Sequence, residues 1–329
     1  MNVLMIDSQR VNYVEHGEFD DRMDEGCEIK VTCSATDAQL AWADGIVAFH
    51  SVVVDEALIG RAPRCRALVK ATTGVDEVDM AVLERRAIRF SSIGQVGVEE
   101  VAEHCIALAL LAQRRLLDYF RHTRQGGWCW REHGAEARGR ILKPCSETVL
   151  GLLGYGAIGR AVARRAAALG YRVKFHDPMI AHCPDGAAQS CSFEGLLAQA
   201  DILSLHLPLT PGNRHLLNDS SFALIKPGAV LINTSRGALI DNASLLRALD
   251  GGRLEQALLD VVEQEPDVPQ SLREHERLAM TPHAAFYSQR SLATLKSRAL
   301  QTLLAMLRDD STVVDDPWRQ QGRGGDRHV

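Results

Sequence analysis

Residues 148–160 read TVLGLLGYGAIGR. Within them an apolar run ends at three glycines, Gly154, Gly156 and Gly159, which have the spacing G-x-G-x-x-G. A helical pattern of apolar residues follows the last glycine. This spacing between a strand and a helix predicts a binding site for a dinucleotide. The alternative is a glycine-rich turn in an unrelated α/β protein.

Each glycine has a physical role in such a site. Gly154 allows the tight turn, Gly156 lets a pyrophosphate approach the backbone, and Gly159 lets the helix pack against the strand. An acidic residue, Asp177, ends the next strand-like run, eighteen residues after Gly159. A carboxylate there is expected to accept hydrogen bonds from a ribose and to repel a 2′-phosphate, which favours NAD over NADP. The sequence leaves open which way Lys174 points.

Composition narrows the class of protein. The chain has 329 residues, 46% of them hydrophobic and 24% charged, as expected of a globular protein with two domains. A net charge of −5 argues against a nucleic acid or a membrane surface as partner. The first residues predict no signal peptide, and no apolar segment has the length of a membrane span.

The 8 cysteines form no C-x-x-C pair, which favours a reduced, cytoplasmic setting over a disulfide framework. No metal site is predicted, because the spacing of His182, Cys183 and Asp185 does not suit zinc.

Strand and helix patterns alternate in two series, which predicts an α/β fold of two doubly wound domains, Rossmann-like or flavodoxin-like, with an interdomain cleft. The predicted strands of the first series are 2–6, 28–33, 45–50, 67–71 and 88–91. Those of the second series are 149–153, 172–176, 202–206, 229–233, 257–261 and 278–280.

Two helical patterns set the predicted domain boundaries. One long helix is predicted from about residue 98 to about 124, and an amphipathic helix from about 288 to 307 could return to the first domain. We therefore expect one domain from 1–98 plus 289–329 and an inserted domain from 99–288. The polar, glycine-rich tail, 320–329, is predicted to be disordered.

Polar side chains follow several strands of the second series, where doubly wound sheets bind their ligands. Arg236 could hold a carboxylate, although a surface salt bridge explains it equally well. His283 could exchange a proton near neutral pH, although a lone histidine is more often structural. Glu263 and Glu265 could each be solvated loop carboxylates.

Five motifs give these residues a common context. GYGAIGR, HLPLT, LINTSRGALID, ALLDVVEQEP and TPHAAFYS occur in this order. In these motifs, and over most of its length from about residue 67 to about 304, the chain resembles the NAD-dependent D-2-hydroxyacid dehydrogenases. The last motif most resembles the C-terminal-binding-protein corepressors and the D-lactate dehydrogenases.

The resemblance implies an oxidoreductase that interconverts a 2-keto acid and a D-2-hydroxy acid by hydride transfer. It implies that Arg236 binds the substrate carboxylate, that His283 is the acid and base, and that Glu265 is the partner of the histidine. Residues 99–288 would then bind NAD, and 1–98 with 289–329 would bind the substrate. A homodimer is expected through the long helix and the loop that contains Trp128 and Trp130.

The same resemblance supplies the other candidate site residues. The cofactor set is Gly154, Tyr155, Gly156, Ala157, Ile158, Gly159, Asp177, Leu207, Pro208, Asn213, Thr234, Ser235, Arg236, Asp260, His283 and Ala285. The substrate set is Lys70, Thr73, Gly74, Arg236, His283 and Phe286.

Three positions depart from the family pattern and leave the substrate open. Phe286 stands where the corepressors have tryptophan, Glu77 where asparagine is usual, and Gly97 where serine is common. Lys70 could read a second anionic group on the substrate, or its stem could pack under the loop with the amine in water. The alternatives to a dehydrogenase of simple 2-keto acids are an NAD(H)-responsive, corepressor-like binding protein and an enzyme for a phosphonate or other dianion.

Overall fold

The computed structural model describes residues 1–7, 26–130, 142–183 and 186–308. The chain divides into two compact units: unit 1 is 1–96 with 288–329, and unit 2 is 97–287. The predicted disordered tail, 320–329, and Asp185 of the zinc-like spacing lie outside the described residues. Among the residues described, no helix combines the length and the apolar character needed to cross a membrane.

Unit 1 contains a parallel sheet of five strands in the order β2-β1-β3-β4-β5. The strands are β1 (Asn2–Ile6), β2 (Glu28–Thr32), β3 (Gly45–Ala48), β4 (Ala67–Lys70) and β5 (Arg89–Ser92). Its first helices are α1 (Asp37–Trp42), α2 (Glu56–Ile59) and α3 (Met80–Arg85). This is the flavodoxin-like strand order.

Unit 2 contains a parallel sheet of seven strands in the order β12-β11-β10-β9-β6-β7-β8. The strands are β6 (Val149–Leu153), β7 (Arg172–His176), β8 (Gln189–Ser190), β9 (Ile202–Leu205), β10 (Ala229–Asn233), β11 (Leu254–Leu259) and β12 (Leu278–Met280). The order reverses between β6 and β9, as in the Rossmann fold. Both units are parallel and doubly wound, which confirms the predicted fold class.

The described residues of unit 2 form the helices α4 (Val98–Gln113), α5 (Leu116–Arg124), α6 (Ala157–Ala168), α7 (Phe193–Gln199), α8 (Asp219–Leu224), α9 (Asn242–Asp250) and α10 (Gln270–Arg273). Short 3-10 helices lie at Cys145–Glu147 and Gly237–Leu239. Apolar side chains of β6, β9, β10 and β11 form the buried core on the two faces of the sheet.

The last helix, α11 (Gln289–Leu307), belongs to unit 1 and packs on β3 and β4. It begins with a capping box in which the Ser288 hydroxyl accepts from the Ser291 N–H. A Cβ atom on Gly45 would lie 2.8 Å from Leu307 Cδ1, so the glycine allows the helix to approach the sheet.

The prediction of one helix over 98–124 is wrong, because α4 ends at Gln113 and α5 begins at Leu116. Arg115 has a left-handed φ of 53°, which interrupts the helix. Its Nη1 donates to Glu255 Oε1 at 2.5 Å, and its guanidinium also pairs with Asp118. The break at Arg115 therefore coincides with an ion pair to β11.

Two strands differ most from the expectation. β11 begins at Leu254, three residues before the predicted start, and ends at Leu259. Asp260 leaves the strand because its carboxylate binds three groups of the segment after β12. The short edge strand β8 has no apolar pattern and was not predicted.

Candidate active site

The glycine turn lies at the carboxyl end of β6, where the strand order reverses. A Cβ atom on Gly154, whose φ is +98°, would lie 2.5 Å from the His206 carbonyl oxygen. One on Gly159 would lie 2.4 Å from the Gly154 carbonyl oxygen. Both positions therefore require glycine for the packing of β6, α6 and the β9 loop.

Gly156, the middle glycine of the turn, has no such close contact. A Cβ atom on Gly156 would meet no atom of the described residues within 4 Å. Gly156 is also the N-cap of α6, and no side chain caps this helix. The N-terminal N–H groups of Ala157 and Ile158 therefore begin a helix at an open backbone, which is the arrangement that binds a phosphate.

Asp177 follows β7 beside the turn. Its Oδ2 accepts from the Tyr155 N–H at 2.7 Å, and its Oδ1 accepts from the Met179 N–H at 2.9 Å. Because a carboxylate oxygen has two lone pairs, each oxygen can accept one more hydrogen bond. Lys174 donates to Gln199 Oε1 at 2.5 Å, which answers the question of its direction.

The side chain of Tyr155 is not part of the open turn. It is completely buried and stacks on Phe175, with ring centroids 3.9 Å apart. Its hydroxyl lies 3.0 Å from Cys183 Sγ. Of this predicted cofactor residue, only the backbone lies at the turn.

The HLPLT motif begins at His206, whose carbonyl oxygen lies against Gly154 of the glycine turn. His206 Nε2 lies 3.0 Å from Ser204 Oγ, and burial lowers the pKa of His206 to about 4. A neutral histidine at pH 7 suits a supporting role. Leu207 packs against the core of the sheet.

Asn213 holds its own loop together. Its Nδ2 donates to the Pro208 carbonyl oxygen, and its Oδ1 accepts from the Thr210 N–H, each at 2.8 Å. Both ends of the Asn213 amide are thus hydrogen-bonded within the loop. Asn213 would therefore contribute to cofactor binding by fixing the conformation of this loop.

The loop after β10 is folded by Asn233, a role that the sequence analysis missed. Asn233 is completely buried; its Oδ1 accepts from the N–H and the hydroxyl of Ser235, both at 3.0 Å. Its Nδ2 donates to the Arg236 carbonyl oxygen at 2.8 Å. A polar residue that ends an apolar strand was the available signal. Asn233 thereby sets the backbone course on which Thr234 and Arg236 stand.

Thr234 and Arg236 of this loop differ in their hydrogen bonding. The Thr234 hydroxyl is buried and has no hydrogen-bond partner among the described residues. Arg236 is half-buried, and its Nη1 donates to the Ser235 carbonyl oxygen at 2.7 Å. A Cβ atom on Gly237 would lie 2.0 Å from the carbonyl carbon of Val262, so this glycine lets the loops after β10 and β11 meet.

Asp260 organises the segment after β12. Its buried carboxylate accepts from the Thr281 hydroxyl at 2.5 Å and from the N–H groups of Ala284 and Ala285 at 2.8 and 2.9 Å. His104 of α4, which the sequence analysis did not select, places Nε2 3.1 Å from the Thr281 hydroxyl. Most of the hydrogen-bonding capacity of Asp260 is thus used within the protein.

His283 and Glu265 form a pair. His283 Nδ1 lies 2.8 Å from Glu265 Oε1, and the two side chains are 25% and 29% exposed. Because a carboxylate can only accept, Nδ1 carries a proton and Nε2 is the atom suited to proton exchange. Glu263 instead pairs with Arg214 and lies 3.0 Å from His215 Nε2.

The backbone of His283 is constrained as well. Its φ of 52° is in the left-handed region. Its N–H donates to the carbonyl oxygens of Asp260 and Thr281 at 2.9 and 3.0 Å. Such a conformation at a non-glycine residue persists only when neighbours hold it, and it is found disproportionately at functional sites.

Phe286 lies against Gly97 within unit 2. A Cβ atom on Gly97, whose φ is +77°, would lie 3.1 Å from Phe286 Cβ. Gly97 and Phe286, two of the three positions that depart from the family pattern, are therefore neighbours.

In unit 1 Lys70 does not hold its amine in water. The side chain is completely buried, and its amine contacts other groups of the protein. Nζ donates to the carbonyl oxygens of Phe49 and Val52 at 3.1 and 2.7 Å and pairs with Glu77 Oε2 at 3.1 Å. An ammonium group has three donors, and these partners account for all of them.

The segment after Lys70 keeps its backbone N–H groups open. The Thr73 hydroxyl donates to the Gly94 carbonyl oxygen at 2.9 Å. Within the part of the chain that is described, the N–H groups of Thr73, Gly74 and Val75 have no acceptor. Three successive donors of this kind suit an anionic oxygen.

Known proteins resemble this chain in family, sequence and structure. Residues 106–285 match the family described as D-isomer specific 2-hydroxyacid dehydrogenase, NAD binding domain. A glyoxylate reductase of Aeropyrum pernix is 34% identical over 275 residues, which are 80% of this chain and 79% of that protein. A glycerate dehydrogenase of Methylorubrum extorquens is 31% identical over 254 residues, which are 74% and 77% of the two chains. The solved structure of a glyoxylate reductase from Paecilomyes thermophila has a TM-score of 0.80 and 26% identity, and the match covers 97% of this chain and 99% of that one.

Proposed function

Since the chain belongs to the D-isomer-specific 2-hydroxyacid dehydrogenases, we propose that it interconverts a 2-keto acid and a D-2-hydroxy acid with His283 as the acid and base. The observation that carries the assignment of roles is the hydrogen bond between His283 Nδ1 and Glu265 Oε1 at 2.8 Å. This pair belongs to the same unit as the glycine turn.

The cofactor of the family is NAD, and the residues of unit 2 fit it. The open backbone at Gly156 and the uncapped start of α6 suit a pyrophosphate. Asp177 keeps acceptor capacity for ribose hydroxyls, and the Thr234 hydroxyl, which has no partner among the described residues, suits a polar group of the cofactor. When bound, NADH supplies the hydride, while the protein supplies orientation and charge.

His283 would handle the proton. In the reductive direction its Nε2 donates to the oxygen of the 2-keto group, on which negative charge develops. Glu265 holds Nδ1, fixes the orientation of the ring, and stabilises the positive charge of the protonated imidazole. In the oxidative direction the same nitrogen accepts the hydroxyl proton of the hydroxy acid.

Arg236 would bind the carboxylate of the substrate. A planar guanidinium can donate two parallel hydrogen bonds to a carboxylate, and its charge stabilises the developing oxyanion. The loop that Asn233 folds supports this side chain. In unit 1 the N–H groups of Thr73, Gly74 and Val75, which have no acceptor among the described residues, suit a carboxylate oxygen.

Three finer assignments complete the proposal. Residues 99–288 would bind NAD, and 1–98 with 289–329 would bind the substrate. The exposed aromatic side chains on and after α5, with Phe120, Trp128 and Trp130 at 53%, 93% and 58% exposure, support a homodimer, which sedimentation would test. A cytoplasmic setting is the third assignment, and the absence of a C-x-x-C pair among the 8 cysteines of the sequence supports it.

The direct test is turnover of a panel of 2-keto acids by the purified protein with NADH. We expect oxidation of NADH with at least one of glyoxylate, hydroxypyruvate and pyruvate, and a product of the D configuration where C2 is a stereocentre. If the protein binds NADH but reduces none of a broad panel, the enzyme proposal fails and a binding role takes its place.

Replacing Asp177 by alanine should narrow the preference for NADH over NADPH. The variant loses an acceptor for the ribose hydroxyls and no longer repels a 2′-phosphate, so NADH affinity should fall about 10-fold or more. Titration of both cofactors by fluorescence measures the two dissociation constants. Lys174→Met is the control, because Lys174 is bonded to Gln199 and should not affect the ratio. Equal affinity of the unaltered protein for the two cofactors would contradict this role of Asp177.

A further inference from the structure

Lys70 is a completely buried lysine whose amine joins three segments of unit 1. It stands at the end of β4 and donates to the carbonyl oxygens of Phe49 and Val52, which follow β3. Its third partner is Glu77, at 3.1 Å from Nζ. We call the ion pair of Lys70 and Glu77 the clamp.

A charged amine in a completely buried position is unfavourable unless other groups compensate its charge. Removal of an ammonium group from water is costly, and here burial lowers the pKa of Lys70 while the Glu77 carboxylate opposes that effect. The bonds to two carbonyl oxygens and one carboxylate are what keep the charged form tolerable. Release of the amine toward a ligand would break all of these bonds together.

The clamp closes the loop formed by residues 71–76. At the far end of this loop, the Glu77 carbonyl oxygen accepts from the Val54 N–H at 2.8 Å, and the Asp79 N–H donates to the Val54 carbonyl oxygen at 2.8 Å. Both ends of the loop are thus bonded to the segment that follows β3.

The interior of the loop is ordered by its own hydroxyl groups. The Thr72 hydroxyl donates to the Gly74 carbonyl oxygen at 2.6 Å, and the Thr73 hydroxyl donates to the Gly94 carbonyl oxygen at 2.9 Å. The N–H groups of residues 73–75 are left without acceptors among the described residues. The bonding that fixes the loop therefore spares the donors that would meet an anion.

We propose that Lys70 and Glu77 are positioning residues, which fix the loop of residues 71–76 so that its N–H groups bind the substrate carboxylate. Lys70 does not touch the substrate, and its charge is matched by Glu77. Lys70 therefore provides no contact for a second anionic group of the substrate. The inference rests on the proposed function.

Lys70→Met, Glu77→Gln and the double variant test the clamp. With the loop loosened, we expect KM for pyruvate and glyoxylate to rise about 10-fold in each single variant, the scale of one lost charge-assisted hydrogen bond. The turnover number should stay within about threefold and the NADH dissociation constant should be unchanged, because the chemistry and the glycine turn lie in unit 2. The double variant should be no worse than Lys70→Met, because both changes break one interaction.

Hydrogen exchange gives a readout that needs no turnover. The amides of residues 71–77 should exchange faster in all three variants than in the wild type. Glu77→Gln keeps the shape of a half-exposed side chain, so it tests the clamp even if Lys70→Met folds poorly. Lys30→Met is the matched control, because Lys30 is a partly exposed lysine of unit 1 that lies over Trp42.

Substrate charge separates the clamp from direct binding. The ratio of kcat/KM for oxaloacetate to that for pyruvate should be the same in Lys70→Met and the wild type. A selective loss of oxaloacetate turnover in Lys70→Met would overturn the clamp in favour of direct binding. Unchanged KM and unchanged exchange in variants that only melt earlier would also overturn it. If the wild type reduces no 2-keto acid, the proposed function fails, and the exchange measurement still decides whether the clamp fixes the loop.

Discussion

Replacing His283 by alanine should lower the turnover number for 2-keto acid reduction by about 10²–10⁴, the usual contribution of a positioned acid. The loss follows because Nε2 of this ring would donate the proton to the keto oxygen as hydride arrives. Binding of NADH should change little, since the glycine turn, Asp177 and Thr234 do not depend on the imidazole. Single-turnover measurements of NADH oxidation, together with a fluorescence titration of NADH, separate the two effects. Full activity in the variant would show that another group supplies the proton.

The glutamates near His283 provide a matched pair of controls. Glu265→Gln removes the carboxylate that holds Nδ1 of His283 and balances the charge of the protonated imidazole, so the turnover number for reduction should fall. Glu263→Gln should leave the turnover number unchanged, because Glu263 contacts Arg214 and His215. Equal effects of the two changes would contradict the pairing of His283 with Glu265.

The parts of the fold that depend on neighbouring residues could be predicted from the sequence. The glycine turn is set by spacing within one strand, one turn and one helix, and the structure shows that Gly154 and Gly159 each face another backbone. The alternation of apolar runs likewise predicted the two parallel sheets. Each strand, the turn and the helix are set by residues that are close together in the chain, so the sequence contains their physical cause.

Features that depend on distant partners could not be predicted. The break of the helix at Arg115 accompanies an ion pair with Glu255, which is 140 residues away in the chain. His104 acquires its place through Thr281, 177 residues away. The burial of Lys70 depends on carbonyl oxygens of another loop, and strand alternation does not reveal which acceptors an amine will reach.

The role of Asn233 lies between these cases. Its side-chain hydrogen bonds are all to the next three residues, so the sequence contained the partners. The course of the backbone after β10 could not be predicted, because it depends on the contact of Gly237 with Val262. The motifs thus identify the side chains of the candidate site, and buried hydrogen bonds determine where these side chains lie.

Arg236→Met should lower kcat/KM for 2-keto acids by about 10²–10³, the scale for removal of a group that stabilises a developing oxyanion. Arg236→Lys should recover only part of this loss, because an ammonium keeps the charge but cannot form the planar, two-bond contact with a carboxylate. Asn233 and Gly237 hold the loop through backbone and glycine contacts that both variants retain, so NADH affinity should stay within a few-fold of the wild type.

The contrast with a neighbouring arginine makes the Arg236 test specific. Arg214 pairs with Glu263, so Arg214→Met removes a positive charge without removing the proposed carboxylate ligand. Steady-state kinetics with pyruvate and glyoxylate should show a loss confined to the Arg236 variants, mostly in KM for Arg236→Lys and in both KM and kcat for Arg236→Met. A comparable loss in Arg214→Met would mean that overall charge governs substrate binding. Full activity in Arg236→Lys would mean that the substrate needs a cation but no guanidinium fork.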